Sequence, residues 1–363
     1  MMHGTQDLRE RLLAMLLLDQ GHYVSGEAIS RDLNMTRAAV WKHMQALQML
    51  GWPIESAPRN GYRIPVHAKL PFSEAAISAA IAERKPEGGA PLPWRVSLIQ
   101  QVDSTSTRLK EAAASGEPEG AVLFAEEQTG GRGRLGRQWA SRPEQGIWMS
   151  VLLRPAMAPA EVQTLTLAAS VAVVQALRAY LAEEEAALSE VDRVLLRQAS
   201  GAIGIKWPND ILWQGRKLCG ILTELAAEPE RLSHVVIGIG LNVSHAREDF
   251  PPELQHAATS LVQILSDLGE TFVPDRNRIA AHLLLALNEQ YGLLSQGGLG
   301  HILNRWRQAS LTLGQEIQVL DAKGPWPATA LEIGEDGRLL VRGPDGNTQW
   351  LLSGEISIRQ KNQ

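Results

Sequence analysis

The hydrophobic period of this chain changes twice, and no single core can satisfy all three patterns. Between residues 5 and 65 the apolar positions recur at helical spacing, as in Leu8, Leu12, Met15 and Leu16. The stretch from Asp19 to Gly21 breaks that helix. A second short helix fits Gly26 to Leu33 with Ser25 as its cap. After the turn Asn34-Met35, Thr36 caps a third helix from Arg37 to Leu50 that Gly51 ends. Helix, short turn and helix make a helix-turn-helix. Pro53–Ser56 and Tyr62–Ile64 then flank Pro58-Arg59-Asn60-Gly61, where Asn-Gly predicts a hairpin because both residues tolerate positive φ. That hairpin reads as a wing.

Pro65 to Pro71 is a connector into a helix at Ser73. From Trp94 onward, strand-like runs (Val96–Val102, Ala121–Ala125, Ile147–Leu153, Val235–Ile239) alternate with helical ones (Thr105–Ala114, Ala160–Leu181, Asp275–Leu294). This predicts a mixed α/β domain. Val191–Gln198 reads as an extension or insertion before a strand at Ile203–Ile205. After about Thr312 the pattern becomes short strands: Glu316–Leu320, Ala328–Ile333, Arg338–Val341, Gln349–Leu352 and Glu355–Ile358. Turn signals separate them, which predicts a small antiparallel barrel of the SH3-like kind. The expected class is α+β multidomain: a winged helix-turn-helix over 1–66, a mixed α/β domain over 67–311 and an SH3-like β-barrel over 312–363. A length of 363 residues suits two or three domains at roughly 150 residues each.

Composition narrows the function classes. With 44% hydrophobic and 21% charged residues, wholesale disorder, collagen and coiled coil are excluded. The 35 basic and 40 acidic side chains leave a net charge of −5, so any contact with a polyanion must be local. One such patch is legible: Thr36 to Arg63 carries Arg37, Lys42, Arg59 and Arg63 against Glu55, which suits phosphate. The one cysteine, Cys219, excludes an intramolecular disulfide framework and fits a reducing compartment as a buried spectator. Asp7, Glu10 and Asp19 do not match a signal peptide, and Leu165–Leu177 is too short to cross a bilayer. A cytoplasmic protein with no membrane partner is expected.

Four clusters carry the chemistry. Gly130-Gly131-Arg132-Gly133-Arg134-Leu135-Gly136-Arg137-Gln138-Trp139 combines glycines, which let the backbone approach a ligand, with forked arginine donors for phosphate or carboxylate. It is neither a Walker loop nor a dinucleotide fingerprint, and a solvated basic loop or an RGG-like nucleic-acid segment has a similar composition. Lys206-Trp207-Pro208-Asn209-Asp210 follows an apolar strand and can set a point charge on an anion, or can be an ordinary turn. Asp103-Ser104-Thr105-Ser106-Thr107 sits at a strand-to-helix junction, where hydroxyls cap helices or face a ligand's polar head. Gly238-Ile239-Gly240-Leu241-Asn242 ends a strand with small residues and an amide. No nucleophile with its base is evident, and the nine histidines show no metal-ligand spacing. Catalysis by positioning and charge neutralisation is what these residues suit.

Taken together and in this order, the four clusters resemble the biotin-protein ligases, most closely the bifunctional bacterial type that also represses the biotin operon. In that family the motifs read approximately Asp-Ser-Thr-Asn, Gln-x-x-Gly-Arg-Gly-Arg-x-Gly-Arg-x-Trp, Lys-Trp-Pro-Asn-Asp and Gly-x-Asn. Here they stand at Asp103–Ser106, Gln128–Trp139, Lys206–Asp210 and Gly240–Asn242, and Arg216–Glu224 matches a further stretch. Ser106 departs from the family's asparagine.

The resemblance implies a central catalytic domain that uses Mg2+ and ATP to join biotin to AMP, then passes biotin to a lysine of the biotin carrier domain of acetyl-CoA carboxylase. It implies that Lys206, Arg134 and Arg132 are catalytic. Ser104, Thr105, Ser106, Gln128, Gly131 and Gly133 would join them around biotin. Arg137, Trp139, Asn209 and Asn242 would serve ATP, with no protein metal ligand assigned. Thr36, Arg37, Trp41, Lys42 and Arg59 would touch operator DNA, in a homodimer formed on biotinyl-AMP. The competing expectations are a lipoate-protein ligase and a ligand-sensing DNA-binding regulator without ligase activity.

Overall fold

The computed structural model describes residues 2–66, 68–84, 92–185, 189–228, 231–270, 272–321, 324–352 and 355–358. Contacts divide the chain into two compact units, Met1–Glu87 with Asp275–Ala281, and Gly88–Pro274 with His282–Gln363.

The first unit runs α1 (Met2–Leu18), α2 (Gly26–Asp32), α3 (Arg37–Met49), β1 (Glu55–Ala57), β2 (Gly61–Arg63) and α4 (Glu74–Glu83). Its helices start where side-chain caps satisfy orphan amides: Ser25 accepts from Ala28 N at 3.1 Å, Thr36 from Ala39 N at 3.2 Å and Ser73 from Ala76 N at 3.1 Å. Their apolar faces meet in a core that includes Leu12, Leu16, Ile29, Val40, Met44 and Leu47. Each such fully buried side chain contributes about 1.5–3 kcal/mol. α4 packs with α1 in this unit.

The wing forms, but its turn differs from the expected Asn-Gly pair. Positive φ falls on Arg59 (70°) and Gly61 (108°), with Ala57 paired to Gly61 across a three-residue loop. The cause lies outside the hairpin. Tyr62 exchanges both backbone hydrogen bonds with Val24, at 2.8 and 3.0 Å, and a Cβ at Gly61 would lie 2.0 Å from the Val24 carbonyl oxygen. Glycine is required there by the third strand-like segment.

The second unit begins β3 (Arg95–Val102), α5 (Thr105–Ala114), β4 (Ala121–Gln128), β5 (Gly146–Leu153), α6 (Val162–Glu184) and α7 (Glu190–Ala202). It continues β6 (Ile203–Lys206), β7 (Asp210–Trp213), β8 (Arg216–Glu228), β9 (Arg231–Asn242), α8 (Leu261–Asp267), the part of α9 (Arg276–Ser295) from His282 onward, and α10 (Leu299–Ala309). The strands form one mixed sheet in the order β3-β4-β5-β9-β8-β7-β6. β3 and β4 are parallel, joined through α5, and every other neighbouring pair is antiparallel.

Two expectations change here. The apolar run at Leu165–Leu177 was expected to be too short for a bilayer, yet its helix has 23 residues, and length and composition alone would let it cross one. It is instead a core helix, buried at nearly every position from Val162 to Leu181. Its polar residues are tolerated because they are paired: Thr166 Oγ1 donates to Thr223 Oγ1 at 2.8 Å and Ser170 Oγ to the Thr166 carbonyl at 2.8 Å. The segment Val191–Gln198, unplaced from sequence, lies in α7. That helix buries only Leu196 and Ala199 and leaves Val191 and Val194 exposed, although Val191, Val194, Leu195 and Ala199 recur at helical spacing in the sequence.

The chain ends in β10 (Glu316–Asp321), β11 (Gly324–Ile333), β12 (Leu339–Arg342), β13 (Thr348–Leu351) and β14 (Glu355–Ile358). They form an antiparallel sheet in the order β13-β12-β11-β10-β14. Among the described residues β13 and β14 do not pair with each other, so the expected barrel is not closed. Ile317, Val319, Ala330, Leu339, Val341 and Ile356 fill its buried side. Trp207 bridges the two sheets of this unit: its backbone N–H donates to Thr312 Oγ1 at 3.0 Å and its indole N–H to the Gly337 carbonyl at 3.1 Å.

Candidate active site

A cleft of about 420 Å³ opens where the loop after β4, the turn between β6 and β7, and strands β8 and β9 converge. The Gly130–Trp139 stretch folds back on itself. Trp139 N donates to the Gly131 carbonyl at 2.9 Å, Gly133 N to the Arg137 carbonyl at 2.7 Å, and a 3-10 turn spans Arg134–Gly136. This fold aims Arg132, Arg134 and Arg137 at the cleft. Gly131 lies behind it, where a Cβ would meet the Trp139 carbonyl oxygen at 2.4 Å; Gly133 lines it.

Lys206 ends β6 and faces the same space. The following turn contains a cis Trp207–Pro208 peptide and the buried Asn209. Asn209 Nδ2 donates to the Ile221 carbonyl at 2.6 Å, and Arg134 Nη1 donates to Asn209 Oδ1 at 3.1 Å. The asparagine therefore uses both ends of its amide, one on β8 and the other on the arginine loop.

At the inner end lies a hydroxyl and amide network. Thr105 offers its backbone N–H and its Oγ1 to Gln128 Oε1, at 2.9 and 3.1 Å. Ser150 Oγ lies 2.7 Å from Thr105 Oγ1 and 2.9 Å from Ser106 Oγ, and Gln128 Nε2 donates to Ser141 Oγ at 2.9 Å. Ser104 precedes α5 without capping it through its side chain and lines the cleft. Ser106, buried, fits against Gly238, where a Cβ would come within 2.7 Å of its hydroxyl.

Trp139 sits in a slot floored by glycines: a Cβ at Gly220 or Gly240 would meet its ring at 2.7 or 2.5 Å. Its ring packs edge-on against Trp148, and Lys217 Nζ lies 5.2 Å from its centroid. Lys217 also pairs with Asp210 at 2.7 Å. Among the described lining residues there are five cationic side chains, Arg132, Arg134, Arg137, Lys206 and Lys217, against one carboxylate, Asp210. A cleft of that sign concentrates and stabilises anions.

Asn242 is not brought to the cleft. Its amide donates to the carbonyls of Thr259 and Lys217, at 3.0 and 3.4 Å, so it secures the backbone beside Lys217. Cys219 is buried with its thiol pKa pushed up by burial, so it has no role as a nucleophile. Lys217 and Ser150 were not singled out from sequence. A serine inside the apolar run Ile147–Leu153 was the available signal for one, and a lysine inside the matching stretch Arg216–Glu224 for the other. Leu320, Ile356 and Ser357 of the C-terminal sheet also line the cleft, a contribution that no local pattern announces.

Among the described residues no group of three or more His, Cys, Asp or Glu side chains could hold a metal.

The residues expected at DNA lie in the first unit. Thr36 is the α3 cap, Arg37 is ion-paired to Glu27 at 2.8 Å, Trp41 and Lys42 are exposed on α3, and Arg59 stands at the wing tip.

Comparison with known proteins matches three stretches of the chain. Residues 98–242 match the model of the biotin/lipoate A/B protein ligase family, residues 8–63 that of an HTH domain, and residues 312–359 that of the biotin protein ligase C terminal domain. The bifunctional ligase/repressor BirA of Bacillus subtilis is 36% identical over 339 residues, 93% of this chain and 95% of that protein. BirA of Escherichia coli is 29% identical over 348 residues, 96% of this chain and 97% of that protein. The biotin–[acetyl-CoA-carboxylase] ligase of Mycobacterium tuberculosis is 36% identical over 272 residues, 74% of this chain and 91% of that one. The structure of Aquifex aeolicus biotin protein ligase in complex with biotin and ATP superposes with a TM-score of 0.57 at 28% identity, over 74% of this chain and 99% of that one.

Proposed function

The chain belongs to the bifunctional ligase/repressor family of biotin-protein ligases, and on that premise we propose how its own residues divide the work. It is an ATP-dependent biotin-protein ligase and a transcriptional repressor. In the first step a carboxylate oxygen of biotin attacks the α-phosphorus of ATP. The bond to the β-phosphate bridging oxygen breaks, giving biotinyl-5′-AMP and pyrophosphate. In the second step the neutral amine of a carrier-domain lysine attacks the biotinyl carbonyl carbon, AMP leaves with the electron pair of the broken acyl–oxygen bond, and the nitrogen gives up a proton to solvent to leave an amide.

The observation that carries this reading is the juxtaposition of a five-cation cleft with a neutral hydroxyl and amide network. Biotin presents a carboxylate at one end and a polar, uncharged ureido ring at the other. Ser104, Thr105, Ser106 and Gln128 supply donors and acceptors for the ring, whose burial would otherwise cost several kcal/mol, on the order of 2–7. Lys206, Arg132 and Arg134 offset the repulsion between carboxylate and α-phosphate. Gly131 and Gly133 let the backbone close over the intermediate, Arg137 favours the departing pyrophosphate, and Trp139 offers a face to adenine. Asn209 acts by holding Arg134. Magnesium entering with ATP would supply further charge neutralisation beside Lys206 and the loop arginines.

The acceptor is the biotin carrier domain of acetyl-CoA carboxylase. The repressor function uses the helix-turn-helix, with Thr36, Arg37, Trp41, Lys42 and Arg59 on operator DNA of the biotin biosynthesis operon and biotinyl-AMP promoting a homodimer that reads paired half-sites. The C-terminal sheet corresponds to an SH3-like module. A cytoplasmic location is supported by a buried free thiol and a long apolar helix consumed in the core.

Incubation with biotin, ATP, magnesium and a carrier domain is expected to biotinylate one lysine and to ignore lipoate as competitor. Transfer of lipoate instead would favour the lipoate-ligase reading. Binding of biotin and DNA without any transfer would favour a sensing regulator. Operator binding indifferent to biotinyl-AMP would contradict the corepressor role.

A further inference from the structure

The first unit carries a groove of about 500 Å³ between α3 and the wing, and its lining is not uniform in what its polar groups are doing. Gln48 is committed to the protein, its Nε2 donating to the Ile54 carbonyl at 2.7 Å. Arg37 is held from one side, with Nη2 donating to Glu27 Oε2 at 2.8 Å. Gln45, by contrast, is exposed and its side-chain amide makes no hydrogen bond among the described residues. Trp41, 55% exposed, lies one turn from each of Arg37 and Gln45. The three residues stand at i, i+4 and i+8 and so share one helix face.

We infer that Gln45 is a base-reading residue and that the Arg37–Trp41–Gln45 face specifies the operator half-site. This rests on the operator-binding reading and names what that site reads. The argument is one of chemical matching. A carboxamide pairs bidentately with the N6 and N7 edge of adenine, a guanidinium with the O6 and N7 edge of guanine, and an apolar ring suits the thymine methyl between them. Glu27 is a positioning residue: it fixes one edge of the Arg37 guanidinium and leaves its other N–H groups for the base. Charge favours duplex DNA as the occupant, because Thr36 to Arg63 holds four basic side chains against Glu55, itself paired to Arg63 at 2.8 Å. Lys42 and Arg59 flank the face as phosphate contacts. Eight residues of helix rise about 12 Å, so at about 3.4 Å per step the guanine and adenine lie roughly three to four base pairs apart.

The test is selection of random-sequence DNA duplexes by the full-length protein in the presence of biotin and ATP. The wild type is expected to enrich a half-site with that guanine and adenine. Gln45→Ala, at an exposed position where alanine is the better helix former, is expected to keep the guanine and lose preference at the adenine by between about fivefold and a hundredfold. Its salt dependence should stay that of the wild type, whereas Lys42→Ala should weaken every sequence and lower the salt slope by about one. Gln45→Ala selecting the wild-type sequence undiminished, or weakening all sequences alike, overturns the inference while the repressor reading stands. A wild-type protein that enriches no duplex overturns both.

Discussion

Arg134 Nη1 donates a hydrogen bond to Asn209 Oδ1 at 3.1 Å, joining two segments that lie 75 residues apart in sequence. This contact ties the glycine–arginine loop to the turn that carries Lys206. Because Asn209 also donates to the Ile221 carbonyl at 2.6 Å, its loss leaves a buried carbonyl unpaired. Asn209→Ala is expected to destabilise the protein by about 1–3 kcal/mol and to slow adenylate formation by a further factor of roughly ten to a hundred. Urea unfolding and single-turnover pyrophosphate release measure the two effects separately. Unchanged adenylation would mean that Arg134 needs no anchor.

The hydroxyl network gives a graded expectation. Ser150 Oγ contacts both Thr105 and Ser106, at 2.7 and 2.9 Å, whereas Ser106 contacts Ser150 alone within that network. Ser150→Ala should therefore weaken biotin binding more than Ser106→Ala, with the larger loss about 1–3 kcal/mol. Calorimetric titration with biotin decides it, and the reverse order would remove Ser150 from the account.

Gly240 is tested by its missing Cβ. Gly240→Ala places a methyl within 2.5 Å of the Trp139 ring, so the ring must leave its slot. The expected result is a raised KM for ATP with biotin affinity changed by less than about threefold, since the biotin network lies on other side chains. A fall in biotin affinity of the same size as the loss for ATP would place Trp139 at the wrong substrate.

Much of this was legible in sequence, and the exceptions have physical causes. The caps Ser25 and Thr36 and the loop from Gln128 to Trp139 are local signals, and the fold keeps them local. Ser150 becomes a site residue only because β5 lies beside β9 in the sheet, and Lys217, although it lies in the matching stretch Arg216–Glu224, reaches Trp139 only because β8 is the next neighbour. Asn242 sits in a motif, yet its Nδ2 is spent on the carbonyls of Lys217 and Thr259. The turn of the wing shifted because Val24, 37 residues before Gly61, pairs with Tyr62. Helix α7 was legible as well, since Val191, Val194, Leu195 and Ala199 recur at helical spacing, but the reading of Val191–Gln198 as an insertion did not use that period.

A pH dependence follows from His245, which stacks on Phe250 with ring centroids 4.7 Å apart. Burial presses its pKa from 6.5 down to about 4. Between those values the unfolded chain binds a proton that the folded chain does not. This contribution to stability is therefore complete above about pH 6.5 and lost as the pH falls toward about 4, a change on the order of 3 kcal/mol. His245→Phe should flatten that part of the stability curve measured by urea unfolding. An unaltered slope would show that His245 takes up its proton in the folded chain as readily as in the unfolded one.

The central claim is that one chain holds two separate anion sites, one for the adenylation chemistry and one for DNA. The most direct measurement is biotinyl-AMP formation by Lys206→Ala and Arg37→Ala, followed in the same preparations by operator binding with biotinyl-AMP supplied. The account expects Lys206→Ala to lose adenylation by at least about a hundredfold with operator binding retained, and Arg37→Ala to show the opposite pattern. Equal losses of adenylation in the two variants would contradict it.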